Sequence, residues 1–213
     1  MFRVDLHLHT VFSSDSTIGP KLLVEQLHNQ PLIKGVAVTD HNTLDGYFQV
    51  RKLAGVYEDL VVLPGIEIGT DKGDLILLGV EEKPRLSTDL NSATDFAKAR
   101  DGVVLVPHPY RSLGLVDLAM GVEAHAIEVL NPTATFEENM MAQKLAKARN
   151  LPGVAGTDAH SPKELWTTFT EVNVRPDCES VLEALRKRSV EAFAVHSSKT
   201  ANKLEGVRTA SRD

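Results

Sequence analysis

The sequence predicts an α/β fold in which parallel strands and helices form a barrel. Short apolar runs rich in Val, Ile and Leu alternate with segments of helical spacing along most of the 213 residues, the pattern of strand–helix–strand crossover units. The strand runs are apolar throughout, so both faces of each strand should be covered. Strands of this kind can form an open sheet or a barrel. The Gly-x-Gly-x-x-Gly motif of dinucleotide-binding open sheets does not follow the first strand, so we favour a barrel.

Each element is justified by its local pattern. The apolar runs predict nine strands: Arg3–Leu6, Gly35–Thr39, Val61–Glu67, Leu75–Val80, Val103–Val106, Ala126–Leu130, Val154–Thr157, Thr170–Val174 and Val190–Val195. Helical spacing predicts five helices: Pro20–Asn29, Thr43–Val56, Thr88–Asp101, Thr135–Asn150 and Asp177–Arg188. Pro20 suits a first helical position because it lacks the N–H that would be unpaired there. Asp177 is a candidate N-cap.

The segment Ile66–Val80 departs from the alternation. The turn residues Asp71-Lys72-Gly73-Asp74 separate two apolar runs with no helix between them. Such a pattern predicts a β-hairpin.

Composition indicates one globular domain. We expect a single barrel over residues 1–196, followed by a polar tail at 197–213 that forms a loosely attached helix or is partly disordered. The net charge of −6 argues against duplex nucleic acid as the main partner. A single cysteine, Cys178, excludes an internal disulfide and a thiolate-rich zinc site. No membrane span or secretory signal is visible, which predicts a cytoplasmic protein.

Polar residues that can bind metals follow the predicted strands. In an α/β barrel, the active site lies at the carboxyl ends of the strands. Here those ends carry five of the eight histidines together with several carboxylates: His7, His9, Asp15, Asp40, His41, Glu67, His108, Asp158 and His160. Imidazole and carboxylate are the usual ligands of catalytic Zn, Mn and Fe. The two-residue spacing of His7 and His9 places both rings on one side of a strand.

Each of these residues also has an ordinary explanation when it is taken alone. An isolated His-x-His is more often a surface or core pair than a ligand pair. Asp40 could cap a turn, and Glu67 could be a satisfied buried carboxylate. The combination on one predicted face favours a metal site. The remaining histidines are not supported by the same combination of site residues. His28 lies in a predicted helix, His125 precedes a strand, and His196 is retained only as a weak candidate.

The same residues resemble the motifs of the PHP (polymerase and histidinol phosphatase) superfamily. The matching segments are Asp5-Leu6-His7-Leu8-His9-Thr10, Thr39-Asp40-His41-Asn42-Thr43, Pro64-Gly65-Ile66-Glu67, Pro107-His108-Pro109 and Thr157-Asp158-Ala159-His160. They stand in the family's order. The resemblance implies a distorted (β/α)7 TIM-like barrel that binds two or three divalent metal ions, Zn, Mn or Fe, and hydrolyses phosphoesters.

The resemblance also implies a ligand set. The first metal would take His7, His9, Glu67 and Asp158. Glu67 would bridge to a second metal, which His108 also binds. A third would take Asp15, His41 and His160.

Two positions depart from the family pattern. Asn131 stands where some members have a histidine ligand, so the second site should be looser. Asp15 replaces a histidine found in some members, but a carboxylate is a good substitute. No histidine follows the bridging glutamate on the hairpin strand, since Ile76 and its neighbours are apolar.

Three residues are candidates for roles beyond metal binding. Arg111, three residues after His108, could grip two phosphate oxygens, or could be an ordinary solvent-exposed arginine. Asp40 could orient His7 or another ligand, or protonate the leaving group. His41 or a water could also supply that proton. The stretch Tyr110–Gly121 is expected to shape the pocket, with Trp166 near its rim.

The leading hypothesis is hydrolysis of a phosphoester of a small metabolite or nucleotide by metal-activated water. A single-strand nuclease or 3′–5′ exonuclease is a second hypothesis, but it calls for a cationic groove with exposed aromatic residues, and aromatic residues are 5% of the chain. A non-catalytic metal-binding scaffold and a C–N hydrolase are two further hypotheses. The oligomeric state is left open.

Overall fold

A computed structural model gives the architecture of residues 1–84, 89–196 and 203–207. The described residues form one ten-stranded sheet in the order β10-β9-β8-β1-β2-β3-β4-β5-β6-β7. Its strands are β1 (Phe2–Leu8), β2 (Gly35–Val38), β3 (Val61–Gly69), β4 (Asp74–Leu78), β5 (Val103–Val106), β6 (Ala126–Leu130), β7 (Gly153–Ala155), β8 (Thr168–Val172), β9 (Val190–His196) and β10 (Lys203–Val207). The helices are α1 (Pro20–Asn29), α2 (Asp45–Ala54), α3 (Leu90–Lys98), α4 (Phe136–Ala148) and α5 (Cys178–Arg186).

The sheet curls into a nearly closed barrel, which confirms the predicted α/β fold class. Strands β1, β2 and β3 are parallel, and so are β5, β6 and β7. The chain after β7 returns to β1: the Asp158 N–H donates to the carbonyl of His7 at 2.7 Å, and the His9 N–H donates to that of Ala159 at 3.0 Å. These bonds bring the end of β7 against the end of β1, so residues that follow the two strands lie together.

The predicted hairpin is confirmed. Strand β4 is antiparallel to both β3 and β5, with Glu67 opposite Ile76 and Gly69 opposite Asp74. It interrupts the strictly parallel order of a regular barrel. Strands β8, β9 and β10 also depart from it, since β8 runs antiparallel to β1 and the three pair antiparallel with one another in order.

The predicted elements differ from the observed ones mainly at their ends. Strand β1 continues through His7 to Leu8. A short 3₁₀ helix over Val116–Met120 lies inside the stretch predicted to shape the pocket. The tail was predicted to be a loose helix or partly disordered, but its described residues form the strand β10, antiparallel to β9. The rest of the tail, like the start of the predicted helix at Thr88, lies outside the described residues.

Local capping explains where two helices begin. In α4, the Thr135 hydroxyl accepts from the Glu138 N–H while the Glu138 carboxylate accepts from the Thr135 N–H, a reciprocal capping box. In α5, Asp177 accepts from the Ser180 N–H, as its sequence position predicts.

Two apolar clusters support the sheet. The larger one packs residues of α1, α2 and α4 against the strands. The smaller one combines residues from β1 through β8 with Val181, Leu182 and Leu185 of α5. Helix α5 follows β8, whose last residue, Val172, pairs with Phe2 at the start of β1. It therefore lies at the opposite end of the barrel from the residues that follow Leu8. Among the described residues, no helix is long and apolar enough to cross a membrane.

Candidate metal centre

Side chains from three strand ends meet at one point of the barrel. They are His7 of β1, His9 directly after β1, Glu67 of β3 and Asp158 after β7, here called the inner group. All four are buried. His7 Nε2 lies 3.1 Å from His9 Nε2, and both nitrogens lie 3.3 Å from Asp158 Oδ1. Glu67 Oε2 lies 3.3 Å from His9 Nε2 and 3.6 Å from His7 Nε2. Four potential ligand atoms thus face a common point.

Glu128 fixes the orientation of His7. Its Oε1 lies 3.1 Å from His7 Nδ1, and its Oε2 accepts from the His108 N–H at 2.9 Å. A proton on Nδ1 directs the Nε2 lone pair of a neutral His7 into the inner group. The contact also needs Gly156, because a Cβ there would lie 2.3 Å from His7 Cβ and 2.7 Å from Glu128 Oε1. Glu128 lies inside an apolar strand, so its place in the sequence did not predict this role.

A hydrogen-bonded chain fixes His9. His9 Nδ1 lies 3.2 Å from Ser13 Oγ, which donates to Asp40 Oδ1 at 2.8 Å and accepts from the His41 N–H at 3.0 Å. Because Ser13 donates its hydroxyl proton to Asp40, the hydrogen bond between His9 and Ser13 must use a proton on His9 Nδ1. Its Nε2 is then left as a lone pair facing the inner group.

Asp40 is a positioning residue in this chain of hydrogen bonds. It is completely buried, and it accepts from the N–H and the hydroxyl of Thr10 as well as from Ser13. Among the described residues, its side chain accepts hydrogen bonds from Thr10 and Ser13 and makes none with His7. The geometry favours orientation of His9 through Ser13 over the predicted alternative of proton donation to a leaving group.

Asp158 is held from its outer side. Its Oδ2 receives hydrogen bonds from Arg111 and Asn131 and lies 3.0 Å from Thr133 Oγ1. This leaves Oδ1 directed at the histidines of the inner group. Arg111 thus pairs with a carboxylate in the structure, while its side chain is 30% exposed. Of the described residues, none accepts a hydrogen bond from Arg111 Nε or Nη2.

Asn131 does not direct its amide oxygen at the inner group. Its Nδ2 donates to Glu128 Oε2 at 2.9 Å, and its Oδ1 accepts from the N–H and the hydroxyl of Thr133. Both ends of the amide are therefore engaged. These bonds indicate that Asn131 orients Glu128 and Asp158 and is not the weak ligand that the family resemblance implies.

Glu67 faces two sets of nitrogens. Its Oε1 lies 3.2 Å from His108 Nε2, whereas its Oε2 lies 3.0 Å from His41 Nδ1 and faces His7 and His9. Although three imidazoles surround Oε2, none of the described residues makes a hydrogen bond of acceptable angle with it, and His108 Nδ1 is likewise buried without a partner. A carboxylate with one oxygen on each side is suited to bridging two cations.

Asp15, His41 and His160 form a second, more open cluster, here called the outer group. Asp15 Oδ2 lies 3.4 Å from His41 Nε2 and 3.4 Å from His160 Nε2. His160 Nδ1 donates to the carbonyl of Asp158 at 2.8 Å, so its Nε2 is free to face Asp15. Its ring stacks on that of His9 at 4.2 Å, which places the outer group beside the inner one.

The electrostatics of the inner group favour positive charge. Burial lowers the pKa of His7, but Asp158, Glu128 and Glu67 outweigh it and raise that pKa well above its usual value. Burial also raises the pKa of Glu67 and Asp158, yet the neighbouring histidines hold both well below their usual range. The nearby carboxylate of Glu67, 3.0 Å from His41 Nδ1, raises the pKa of His41 to about 9. The carboxylates that produce these shifts make the point where the inner group converges suited to a cation.

The distances fit a bound metal ion. Ligands held about 2.0–2.1 Å from a tetrahedral ion lie about 3.3–3.4 Å from one another. The separations of 3.1–3.6 Å within the inner group bracket that value. The donor set of two imidazoles and two carboxylates suits Zn, Mn or Fe. Together with the unpartnered Glu67 Oε2, these features make the inner group a candidate metal centre.

Other polar residues near the barrel have structural roles. Asp5 accepts from the backbone N–H groups of His7 and Thr157, and burial raises its pKa to about 7. His28 stacks on Tyr57 at the surface, and His125 Nδ1 accepts from a backbone N–H. The side chain of His196 lies outside the described residues.

Trp166, expected near the pocket rim, contacts helix α1. Trp166 Nε1 donates to Gln26 of α1 at 3.3 Å. A shallow surface groove of about 480 Å³ lies between Trp166 and the α1 residues Leu22 and Gln26, outside the strand-end site.

Comparisons of the sequence identify relatives. Residues 136–190 match a family described as PHP-associated. An uncharacterised protein of Methanocaldococcus jannaschii is 30% identical over 197 residues, which cover 86% of this chain and 77% of the relative. A second uncharacterised protein of the same organism is 29% identical over 141 residues, covering 61% of this chain and 81% of the relative.

Solved structures share the fold. An amidohydrolase from Chromobacterium violaceum, with bound sulfate and no metal, superposes with a TM-score of 0.66 at 15% identity, covering 88% of this chain and 96% of its own. A protein of Bifidobacterium adolescentis described as a metal-dependent phosphoesterase has a TM-score of 0.58 at 20% identity, covering 74% and 87%. PsfC from Pseudomonas syringae has a TM-score of 0.60 at 18% identity, covering 97% and 92%.

Proposed function

Since the chain belongs to the PHP superfamily, we propose that it is a metal-dependent phosphoesterase acting on a small phosphorylated metabolite or nucleotide. The observation that carries this proposal is the convergence of four buried ligand atoms on one point, with separations of 3.1–3.6 Å. Three of the four side chains also have their outer atoms fixed by hydrogen bonds. A site this preorganised costs little rearrangement when it binds a cation.

The ligands of the proposed ions divide between the two groups. His7, His9, Glu67 and Asp158 would hold the first ion, and Glu67 would share a second ion with His108. Asp15, His41 and His160 would hold a third. When bound, such ions lower the pKa of water and withdraw charge from phosphoryl oxygens. The chain's own contribution is to orient these ligands through Glu128, Ser13 and Asn131.

Arg111 is our candidate for contact with the substrate. Its Nη1 is used on Asp158 and Thr133, but its Nε and Nη2 remain available at a partly exposed position beside the inner group. A guanidinium can bind two phosphoryl oxygens at once. Arg111 would thereby position a phosphoryl group beside the ions held by the inner group.

His41 has two roles that exclude each other. Its side chain is 37% exposed and its pKa is raised to about 9, so without an ion it carries a proton that it could donate to a leaving group. An ion in the outer group would displace that proton from Nε2. Rate measurements at two and at three ions per chain distinguish these roles.

One comparison is consistent with phosphoester chemistry, since the Bifidobacterium adolescentis protein is described as a metal-dependent phosphoesterase. The net charge of −6 favours a small substrate over a nucleic-acid duplex.

The test is a substrate panel with defined metals. Metal-stripped protein, reloaded with Mn²⁺ or Zn²⁺, is assayed on phosphomonoesters, phosphodiesters, single-stranded oligonucleotides and amides. We expect hydrolysis of at least one small phosphoester, lost in His7→Ala and Glu67→Gln and after chelation. His28→Ala, which changes a surface histidine, serves as the matched control. Full activity in His7→Ala or in chelated protein would contradict the proposal.

A C–N hydrolase is the second candidate, because one structural neighbour is named an amidohydrolase. Turnover of amides without any turnover of phosphoesters would favour it. Cleavage of oligonucleotides that falls steeply with salt would instead indicate the single-strand nuclease. Metal binding without turnover of any class would indicate a scaffold.

A further inference from the structure

The carboxylate of Asp74, a residue that the sequence analysis placed in the turn of the hairpin, lies beside Glu67. Asp74 is 9% exposed and begins β4. It stands two residues before Ile76, the partner of Glu67, so Asp74 and Glu67 share one face of the sheet. Ligand atoms of Glu67, Asp74 and His108 all lie within 4.8 Å of one another.

The backbone holds Asp74 in this place. Its N–H donates to the carbonyl of Leu113 at 2.8 Å, in the loop that follows His108. Gly73 has φ of +141°, and a Cβ there would lie 2.8 Å from that same carbonyl. Glycine at 73 thus lets the hairpin pack directly on the loop after β5. The packing brings the Asp74 carboxylate next to His108.

An ion shared by Glu67 and His108 needs further ligands, and Asn131 does not offer its oxygen. That oxygen accepts two hydrogen bonds from Thr133. Among the described residues, His108 Nδ1 is buried without a partner, while Nε2 lies 3.2 Å from Glu67 Oε1. With its proton on Nε2, a neutral His108 leaves the Nδ1 lone pair without a donor; with its proton on Nδ1, that N–H lacks an acceptor and the Nε2 lone pair faces the Glu67 carboxylate. A cation between Nε2 and Glu67 Oε1 would bind that Nε2 lone pair.

We propose that Asp74 is the third protein ligand of the ion held by Glu67 and His108, in the place that the amide of Asn131 does not fill. Two carboxylates and one imidazole form a harder donor set than the inner group, so this site takes a hard divalent cation such as Mn²⁺. The inference rests on the metal cluster of the proposed function.

The first experiment counts ions. Metal-stripped wild-type protein and Asp74→Asn are dialysed against Mn²⁺, and bound metal is measured by mass spectrometry and by titration calorimetry. We expect Asp74→Asn to bind one ion fewer per chain, or to bind it at least tenfold more weakly. Asp71→Asn, the same substitution at an exposed position of the same turn, should bind as the wild type does. Wild-type stoichiometry and affinity in Asp74→Asn would overturn the inference.

The second experiment does not depend on the variant's folding. Crystals of the wild-type protein are soaked in Mn²⁺, and anomalous scattering locates the ions. A peak coordinated by Asp74, Glu67 and His108 is expected. A peak beside Glu67 and His108 that Asp74 does not reach would overturn this inference alone. Failure of the wild-type protein to bind any divalent ion would overturn the proposed function as well.

Discussion

The inner and outer groups use the same ligand chemistry in different settings. The inner group is buried, and its members lie within or directly after strands. The outer group is open: the side chains of Asp15, His41 and His160 are 55%, 37% and 28% exposed, and Asp15 lies in the loop after β1. Water competes for exposed ligands and screens their charge, whereas buried ligands are held in low dielectric.

The supporting hydrogen bonds differ as well. In the inner group, Glu128 holds His7, Ser13 holds His9, and Arg111 holds Asp158. In the outer group, His160 is oriented by a backbone carbonyl, and the Asp15 carboxylate pairs, within the described part of the chain, with the other two members alone. These differences predict that the inner group would hold an ion more tightly than the outer group.

The largest expected effect comes from removing an inner ligand. His9→Ala should lower the rate of the proposed phosphoester hydrolysis about 10³-fold, because metal stabilisation of charge amounts to several kcal/mol and each ~1.4 kcal/mol is tenfold. His160→Ala, the same substitution in the outer group, should cost about tenfold or less. Steady-state kinetics at saturating Mn²⁺ measure both. Equal losses in the two variants would contradict the division into inner and outer groups.

Glu128→Gln should have the next largest effect. It keeps the size of the side chain but removes the charge that holds His7 Nδ1, and such changes typically weaken metal affinity by about 10–100-fold. Competition with a metal-binding dye reports the affinity. Glu171→Gln, at a carboxylate that pairs with Arg3 away from the site, is the control. An unchanged affinity in Glu128→Gln would show that His7 needs no such support.

The outer group should depend on pH. The pKa of His41 is raised from 6.5 to about 9 without metal, so at pH 7 the ring is protonated and must lose a proton to bind an ion. Affinity for the outer ion should therefore rise about tenfold per pH unit from pH 7 and level off near pH 9. Calorimetric titrations across that range measure the slope, and NMR of the metal-free protein follows the ring itself. A flat profile would remove His41 from the ligand set.

Thr133→Val should have the smallest effect. The Thr133 hydroxyl lies 3.0 Å from Asp158 Oδ2 but donates its proton to Asn131 Oδ1. Arg111 and Asn131 hold Asp158 Oδ2 without it, and Thr133 is exposed so that water can replace its hydroxyl. A loss of about 0.5–1 kcal/mol, roughly two- to fivefold in metal affinity, is expected. A loss as large as that of Glu128→Gln would mean that Asp158 depends on Thr133 alone.

Much of the fold could be predicted because its signals are local. Continuous apolar runs marked β5 and β6 at their observed bounds, and the Pro20 start marked α1. The turn residues between two apolar runs predicted the β3–β4 hairpin. The tail strand β10 was missed, since a polar segment that pairs at a sheet edge carries no apolar pattern of its own.

The site was predictable in its members more than in its contacts. The structure brings His7, His9, Glu67 and Asp158 together, and places Asp15, His41 and His160 beside them. Two carboxylates near the site were not predicted as site residues. Glu128 lies inside an apolar strand, and Asp74 lies at a turn, where carboxylates are common without a functional role. Register irregularities between Asp5 and Leu8 of β1 and between Glu128 and Leu130 of β6 re-aim side chains at the site. Strand periodicity does not reveal such shifts.

The sequence by itself determined the fold class, the approximate places of most strands and the donor types that follow them, because apolar runs and imidazole or carboxylate side chains are properties of short segments. Only the tertiary structure decided that Glu128 supports His7, that Asp40 acts through Ser13, that Arg111 pairs with Asp158, and that Asn131 turns its amide away while Asp74 faces Glu67. These outcomes depend on barrel closure and strand register, which set the direction of each side chain through contacts between residues far apart in the chain.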